Sequence, residues 1–302
     1  MAKRIISRKG SLIQRLKLEE KPITLVLGSA ISRKHNGVGI ADVNEINTHI
    51  GDFLTKKGLK SNYNEFLDDN ELSDNYQSGF EFIASVLGQD SINAIITEIV
   101  LSNVDPVNNK HRITKAINDL ALYIRSGEIN IKNIITTNFD TLLEESFREN
   151  LIPKTSLSIV SDSHINAISS DDIKIVHIHG VWDKNDTMHS YSQLNAERIK
   201  IEASLQDLFL DTSVYIMAYS GWEDSFTRAL SNIVNVQSAN YSIAWCFYSD
   251  SNSSIEDDFG DWFKELNPAI SRGRIQFFKG IDCNVLFEEA NSAFSEKKSN
   301  SH

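Results

Sequence analysis

The sequence predicts an α/β protein: a doubly wound, mostly parallel sheet with an inserted helical module. Three observations predict it. Short apolar, β-branched runs recur along the chain, continuous rather than alternating, as strands covered on both faces require. Segments with helical spacing separate most of these runs, which is the pattern of a Rossmann-like sheet. One long interval, 40–126, carries several helical patterns and no convincing strand.

Each element follows in chain order. The opening "KRIISRKGSLIQRLK" has the pattern of an amphipathic helix, expected to pack on its own domain rather than on a membrane or a neighbouring subunit. "ITLVLG" at 23–28 is the first strand. The inserted module at 40–126 follows, with helical patterns in "IADVNEINTHIGDFL", "FEFIASVL" and "INAIITEIVL". It is expected to cover the edge of the sheet where a ligand would lie. In "ITKAINDLALYI", Ile113, Ile117, Leu120 and Ile124 form one apolar stripe. Further strands are predicted at 131–136, 156–160, 173–178, 214–219, 242–247 and 274–278. Helices are predicted in "SFTRALSNIVNV" and "CNVLFEEANSAF". The chain, 1–302, reads as a single domain with a frayed tail at 290–302.

Composition narrows the function classes. A formal net charge of -11 repels phosphate backbones, so direct nucleic-acid binding is not expected. The two cysteines, Cys246 and Cys283, sit in no CxxC spacing, which argues against a disulfide framework and a zinc ribbon and fits a cytoplasmic protein. No segment approaches ~18 consecutive apolar residues, so no membrane span is expected.

Ligands of open α/β sheets bind beyond the carboxyl ends of the strands, so the residues there are the candidates. After the first strand, Gly28 permits a tight turn, and Ser29 and Ala30 let a ligand approach backbone N–H groups. Arg33 and Lys34 could face a pyrophosphate; a small-residue turn without a ligand is the plain alternative. After 131–136 come Asn138, with donor and acceptor groups, and Asp140, which could also simply cap the next helix, where "TLLE" matches a capping box. After 173–178 come His179 and Gly180. His177 is better read as a satisfied histidine within the sheet, because the two histidines lack an evident third metal ligand. After 214–219, Ser220 and Gly221 can approach a ribose or phosphate, Trp222 reads better as core, and Glu223 and Asp224 favour the start of the next helix.

Together these segments resemble the sirtuins. Gly28-Ser29-Ala30-Ile31-Ser32 resembles the Gly-Ala-Gly-x-Ser loop, Thr137-Asn138-Phe139-Asp140 the Gln-Asn-hydrophobic-Asp element, and His179-Gly180 the catalytic His-Gly, while Tyr219-Ser220 takes the place of the later Gly-Thr-Ser or Gly-Tyr-Ser loop. The four zinc-binding cysteines of the deacylases and their Gly-Ile-Pro-Asp-Phe-Arg stretch are not reproduced, and Ala30 and Ala218 stand where glycines are usual. The chain is more similar to bacterial antiphage-defence proteins with a sirtuin-like domain. That resemblance implies an NAD+ hydrolase that releases nicotinamide and ADP-ribose and depletes NAD+ during infection. It implies Asn138, His179 and Asp140 as catalytic residues. Gly28, Ser29, Ala30, Ser32, Arg33, Thr137, Gly180, Tyr219 and Ser220 would bind the dinucleotide. No metal is implied, nor any cofactor beyond NAD+ as substrate. A homo-oligomer is expected, with a partner defence protein such as an ATPase or sensor. Two other readings are an inactive NAD or ADP-ribose binding module, serving as a sensor or assembly part, and a protein deacylase.

Overall fold

The computed structural model describes residues 5–165, 172–184, 186–236 and 240–299, with side chains placed as far as 293. Ten strands and thirteen α-helices follow one another among these residues. They are β1 (Ile6–Arg8), α1 (Lys9–Lys17), β2 (Ile23–Leu27), α2 (Val43–Lys56), α3 (Lys60–Asp69), α4 (Tyr76–Leu87), α5 (Gln89–Leu101), β3 (Val104–Asp105) and β4 (Lys110–His111). Then come α6 (Lys115–Arg125), β5 (Ile131–Thr136), α7 (Leu142–Glu149), β6 (Lys154–Ser158), β7 (Ile173–His177), α8 (Tyr191–Asn195), α9 (Ile199–Asp211) and β8 (Ser213–Met217). The chain continues with α10 (Ser225–Val234), β9 (Ser242–Cys246), α11 (Asn252–Glu265), α12 (Asn267–Ser271), β10 (Ile275–Lys279) and α13 (Cys283–Ser299).

Eight strands form one sheet in the order β1-β10-β9-β8-β2-β5-β7-β6, and every pairing in it is parallel. The chain builds outward from β2 toward β6, then crosses back to β8 on the other side of β2. The sheet therefore reverses direction between β2 and β8, and a crevice opens at such a switch point.

Successive strand residues point to opposite faces, and the sheet separates two cores accordingly. Leu25, Leu27, Ile134, Ile175, Tyr215, Met217 and Ala244 meet the layer that includes α1, α2, α4–α7 and α13. Val26, Ile135, Val176, Val214, Ile216, Ile243 and Trp245 meet α9–α12. The predicted strands are continuous apolar runs because both of their faces are covered.

The sequence expectations differ from the structure in three places. The N-terminal segment does not form a helix throughout: Ile6–Arg8 adds a strand at the sheet edge before α1. Helix α1 packs on its own domain, burying Leu12 and Leu16, while Arg15 reaches across to Tyr215 and Ser242. The interval 40–126 contains a small antiparallel hairpin, β3–β4, too short to show as an apolar run. The expected frayed end at 290–302 is helical through 299, with Ala290 wholly buried; residues 300–302 lie outside the described residues. No helix among the described residues is long and apolar enough to cross a membrane.

Candidate active site

A cavity of about 610 Å³ lies beyond the carboxyl ends of β9, β8, β2, β5 and β7. Its walls include Ser29, Ala30, Ser32 and Arg33 after β2, Thr137–Asp140 after β5, His179 after β7, and Tyr219, Ser220, Trp222 and Asp224 after β8. Residues Asp42–Asn44 at the start of α2, and Tyr76 from α4, close one side. Residues of the 40–126 interval thus form part of the cavity wall.

Asn138 is 3% exposed. Its amide Nδ2 donates to Ser32 Oγ at 2.9 Å, and the Ser32 hydroxyl in turn bonds the Asp140 carboxylate. Ser32 can accept from Asn138 while donating to Asp140, and this chain fixes which end of the amide is which. Asn138 Oδ1 is left buried with no hydrogen-bond partner. An orphaned buried acceptor is costly unless something fills it. Asp140 also accepts from the N–H of Leu142 at 3.1 Å. Burial raises its pKa despite that bond, the Ser32 hydroxyl and the nearby His177.

His179 is 5% exposed, and its Nε2 lies 3.3 Å from Asp224 Oδ2, off the line of a good hydrogen bond. The other Asp224 oxygen caps α10, accepting from the N–H groups of Phe226 and Thr227 at 2.9 and 3.0 Å. Burial pushes the Asp224 pKa up, but His179 and these two N–H groups outweigh it and hold the carboxyl below its ordinary value. Behind them, Arg198 is buried and bonds Ser225 Oγ and the carbonyl of Ile178, placing a cation near Asp224.

Residues 132–267 match the sequence profile of a family described as the SIR2-like domain. That segment, less than half of the chain, is SIR2-like. Among solved structures the chain resembles a Sir2 homologue, a histidine-to-asparagine mutant in complex with ADP ribose, at 11% identity and a TM-score of 0.50, covering 96% of this chain and 97% of the other. A phenylalanine-to-alanine mutant of a Sir2 homologue, also an ADP ribose complex, is similar at 12% identity and a TM-score of 0.49, again covering 96% and 97%. No curated protein matches the chain by sequence.

Several of the candidate residues lie elsewhere than at the cavity wall or have other partners. Gly28 and Gly180 do not line the cavity. A Cβ on Gly28 would lie 2.3 Å from the Ala218 carbonyl oxygen, so this glycine lets two strand-end turns touch. Gly180, at φ +86°, would put a Cβ 2.2 Å from the Asp186 carbonyl oxygen. Both serve backbone packing rather than ligand approach. The N–H groups of Gly28, Ala30, Ile31 and Ser32 bond Met217, Ala218, Gly28 and Ser29 carbonyls, so these four are not free for phosphate. The Ser29 and Arg33 side chains remain at the cavity, whereas Lys34 pairs with Glu45 at 3.1 Å. The Tyr219 hydroxyl donates to the Trp222 carbonyl, and Trp222 both packs on the core and lines the cavity.

The "TLLE" capping box does not form. Thr141 makes no side-chain cap bond, and Glu144 turns instead to His177 Nε2 at 2.8 Å. His177 is the satisfied sheet histidine the sequence suggests: its Nδ1 donates to the Asn138 carbonyl at 2.7 Å. Burial acts against both charges in this pair. Their mutual attraction prevails, holding Glu144 at about 2 and raising His177. Among the described residues no cluster of three or more His, Cys, Asp or Glu side chains could hold a metal ion.

Proposed function

We propose that this chain is an NAD+ hydrolase that cleaves the nicotinamide–ribose bond, releasing nicotinamide and ADP-ribose. One observation carries the reading. The unpartnered Asn138 Oδ1 and the His179–Asp224 pair border a single cavity of about 610 Å³, within the usual range for a ligand pocket. The ADP ribose held by the structurally similar Sir2 homologues is the product such a site would leave.

Bond cleavage sends an electron pair from the C1′–N bond into the pyridinium ring, which becomes neutral nicotinamide. Positive charge collects on the ribose, as in other glycosidic reactions. A water oxygen then bonds C1′. Asn138 Oδ1 accepts a hydrogen bond from that water or from a ribose hydroxyl. Asp224 favours a proton on His179 Nε2, so Nδ1 has the lone pair that takes the proton from water, and Asp224 steadies the imidazolium. Ser29, Arg33 and Ser220 line the cavity, and on this reading they meet the diphosphate and adenosine portions. The biological reading that follows is NAD+ depletion in bacterial antiphage defence, by an oligomer working with a sensor or ATPase partner.

The test is nicotinamide release from NAD+ by the purified chain and its assembled forms. Positioned general-base catalysis contributes about 10²–10⁴-fold. His179→Ala and Asn138→Ala are each expected to lower turnover by about that factor while circular dichroism stays unchanged. A folded variant that consumes NAD+ at the parent rate would reject the assignment.

A further inference from the structure

The strand-end pattern does not reach His189, which sits in the loop before α8. It is 2% exposed, and it lines the cavity. Three rings surround its imidazole: Phe80 at 4.8 Å, Phe139 at 5.3 Å and Tyr76 at 5.8 Å between centroids. Trp222 leans on Tyr76 at 5.6 Å. Within this aromatic enclosure the His189 imidazole makes one hydrogen bond, between Nδ1 and the Tyr76 hydroxyl. Its Nε2 is buried and has no partner.

Counting hydrogens fixes the direction of that bond. If His189 donated, the buried phenol hydrogen would need an acceptor elsewhere. If Tyr76 donates, one bond satisfies both groups. Burial raises the pKa of Tyr76, which keeps its proton available. Burial, with His179 nearby, pushes the His189 pKa down to about 3, so the ring is neutral at physiological pH. A neutral imidazole that accepts at Nδ1 carries its hydrogen on Nε2. The result is a buried, uncharged N–H donor bordering a cavity with nothing to donate to.

Its location selects the part of the ligand. His189 is the electrostatic neighbour of His179, where the hydrolase reading puts the bond that breaks. The opposite end of the cavity, lined by Phe247, Tyr248 and Ser249 after β9, is three strand spacings from β5, or about 14 Å. That end is left for the adenosine half. In the intact dinucleotide the ring to be released is cationic and planar, with a carboxamide substituent. Aromatic walls suit the ring, and an uncharged donor meets the amide oxygen without repelling the pyridinium.

We propose that His189 Nε2–H recognises the carboxamide oxygen of the nicotinamide ring and that Tyr76 is the positioning residue that holds the required tautomer. This rests on reading the cavity as an NAD+ site.

The test measures binding of two dinucleotides to the full chain by calorimetry: NAD+, and an analogue with an unsubstituted pyridinium ring. Nicotinamide release is followed in parallel. One neutral hydrogen bond corresponds to a preference of about tenfold for NAD+. His189→Phe is expected to abolish that preference and Tyr76→Phe to narrow it, each by weakening NAD+ alone. A preference that survives in His189→Phe overturns the proposal, as does equal weakening toward both ligands. If His189→Phe does not fold, Tyr76→Phe decides: a narrowed preference supports the proposal and an unchanged one overturns it. The expected preference without nicotinamide release would uphold His189 and reject hydrolysis. Failure of the parent chain to bind NAD+ overturns both.

Discussion

Ser32 shows how a residue can be legible in the sequence while its partners are not. A small polar residue in the turn after β2 looks like a ligand contact. The structure places its hydroxyl between the Asn138 amide and Asp140, 2% exposed. Asn138, Asp140 and His179 are legible because strand ends mark them. The Ser32–Asn138 bond is not, because it joins positions 106 residues apart. Asp224 is half legible: its capping oxygen follows from the helix start, whereas the oxygen facing His179 does not. Removing the Ser32 hydroxyl should let the Asn138 amide turn. On the hydrolase reading, Ser32→Ala is expected to lower kcat about tenfold with KM little changed, since it acts on orientation through one hydrogen bond. Steady-state kinetics checks this; a change confined to KM would mean that Ser32 binds the ligand itself.

At the scale of elements, the apolar runs locate the central strands to within about two residues, the usual uncertainty of an element end. They fail where an element is short or at an edge, as with β1 and the β3–β4 hairpin, which bury too little to leave a pattern. The Glu144–His177 pair shows what sits beneath a familiar signature. It ties the first turn of α7 to the end of β7, and the His177 Nδ1 bond holds the backbone at Asn138. The pH dependence has two limbs. Glu144, lowered to about 2, stabilises the fold above its ordinary value of 4.5 and loses that contribution as pH falls toward 2. His177 is raised, so its contribution is full below the ordinary 6.5 and is lost as pH rises through its folded value. Breaking a buried pair costs about 3 kcal/mol. Glu144→Gln is therefore expected to lose about that much stability at pH 5–6 and less at either extreme, as read from urea midpoints. A uniform loss across pH would attribute the effect to packing alone.

For the molecule as a whole, the matched segment 132–267 is less than the site needs. It lacks β2, the strand between β5 and β8, and it lacks Ser29, Ala30, Ser32, Arg33, Asp42–Asn44 and Tyr76 of the cavity wall. A fragment of 132–267 is expected to give no cooperative melt, because without β2 the sheet separates and both cores open. Differential scanning calorimetry checks this, and a sharp transition in the fragment would show that the sheet can close without its centre.

The cavity wall also has an uneven ionic character. Asp42, Asp140, Asp224 and Asp258 border it, and Arg33 is the one arginine or lysine to do so among the described residues. On the hydrolase reading, the dinucleotide enters with a cationic ring that offsets part of its diphosphate charge. Scission discards that offset and leaves a more anionic molecule facing the same acids. The chamber then holds its cargo less firmly after the reaction than before, so the chemistry itself helps clear the site for the next turnover.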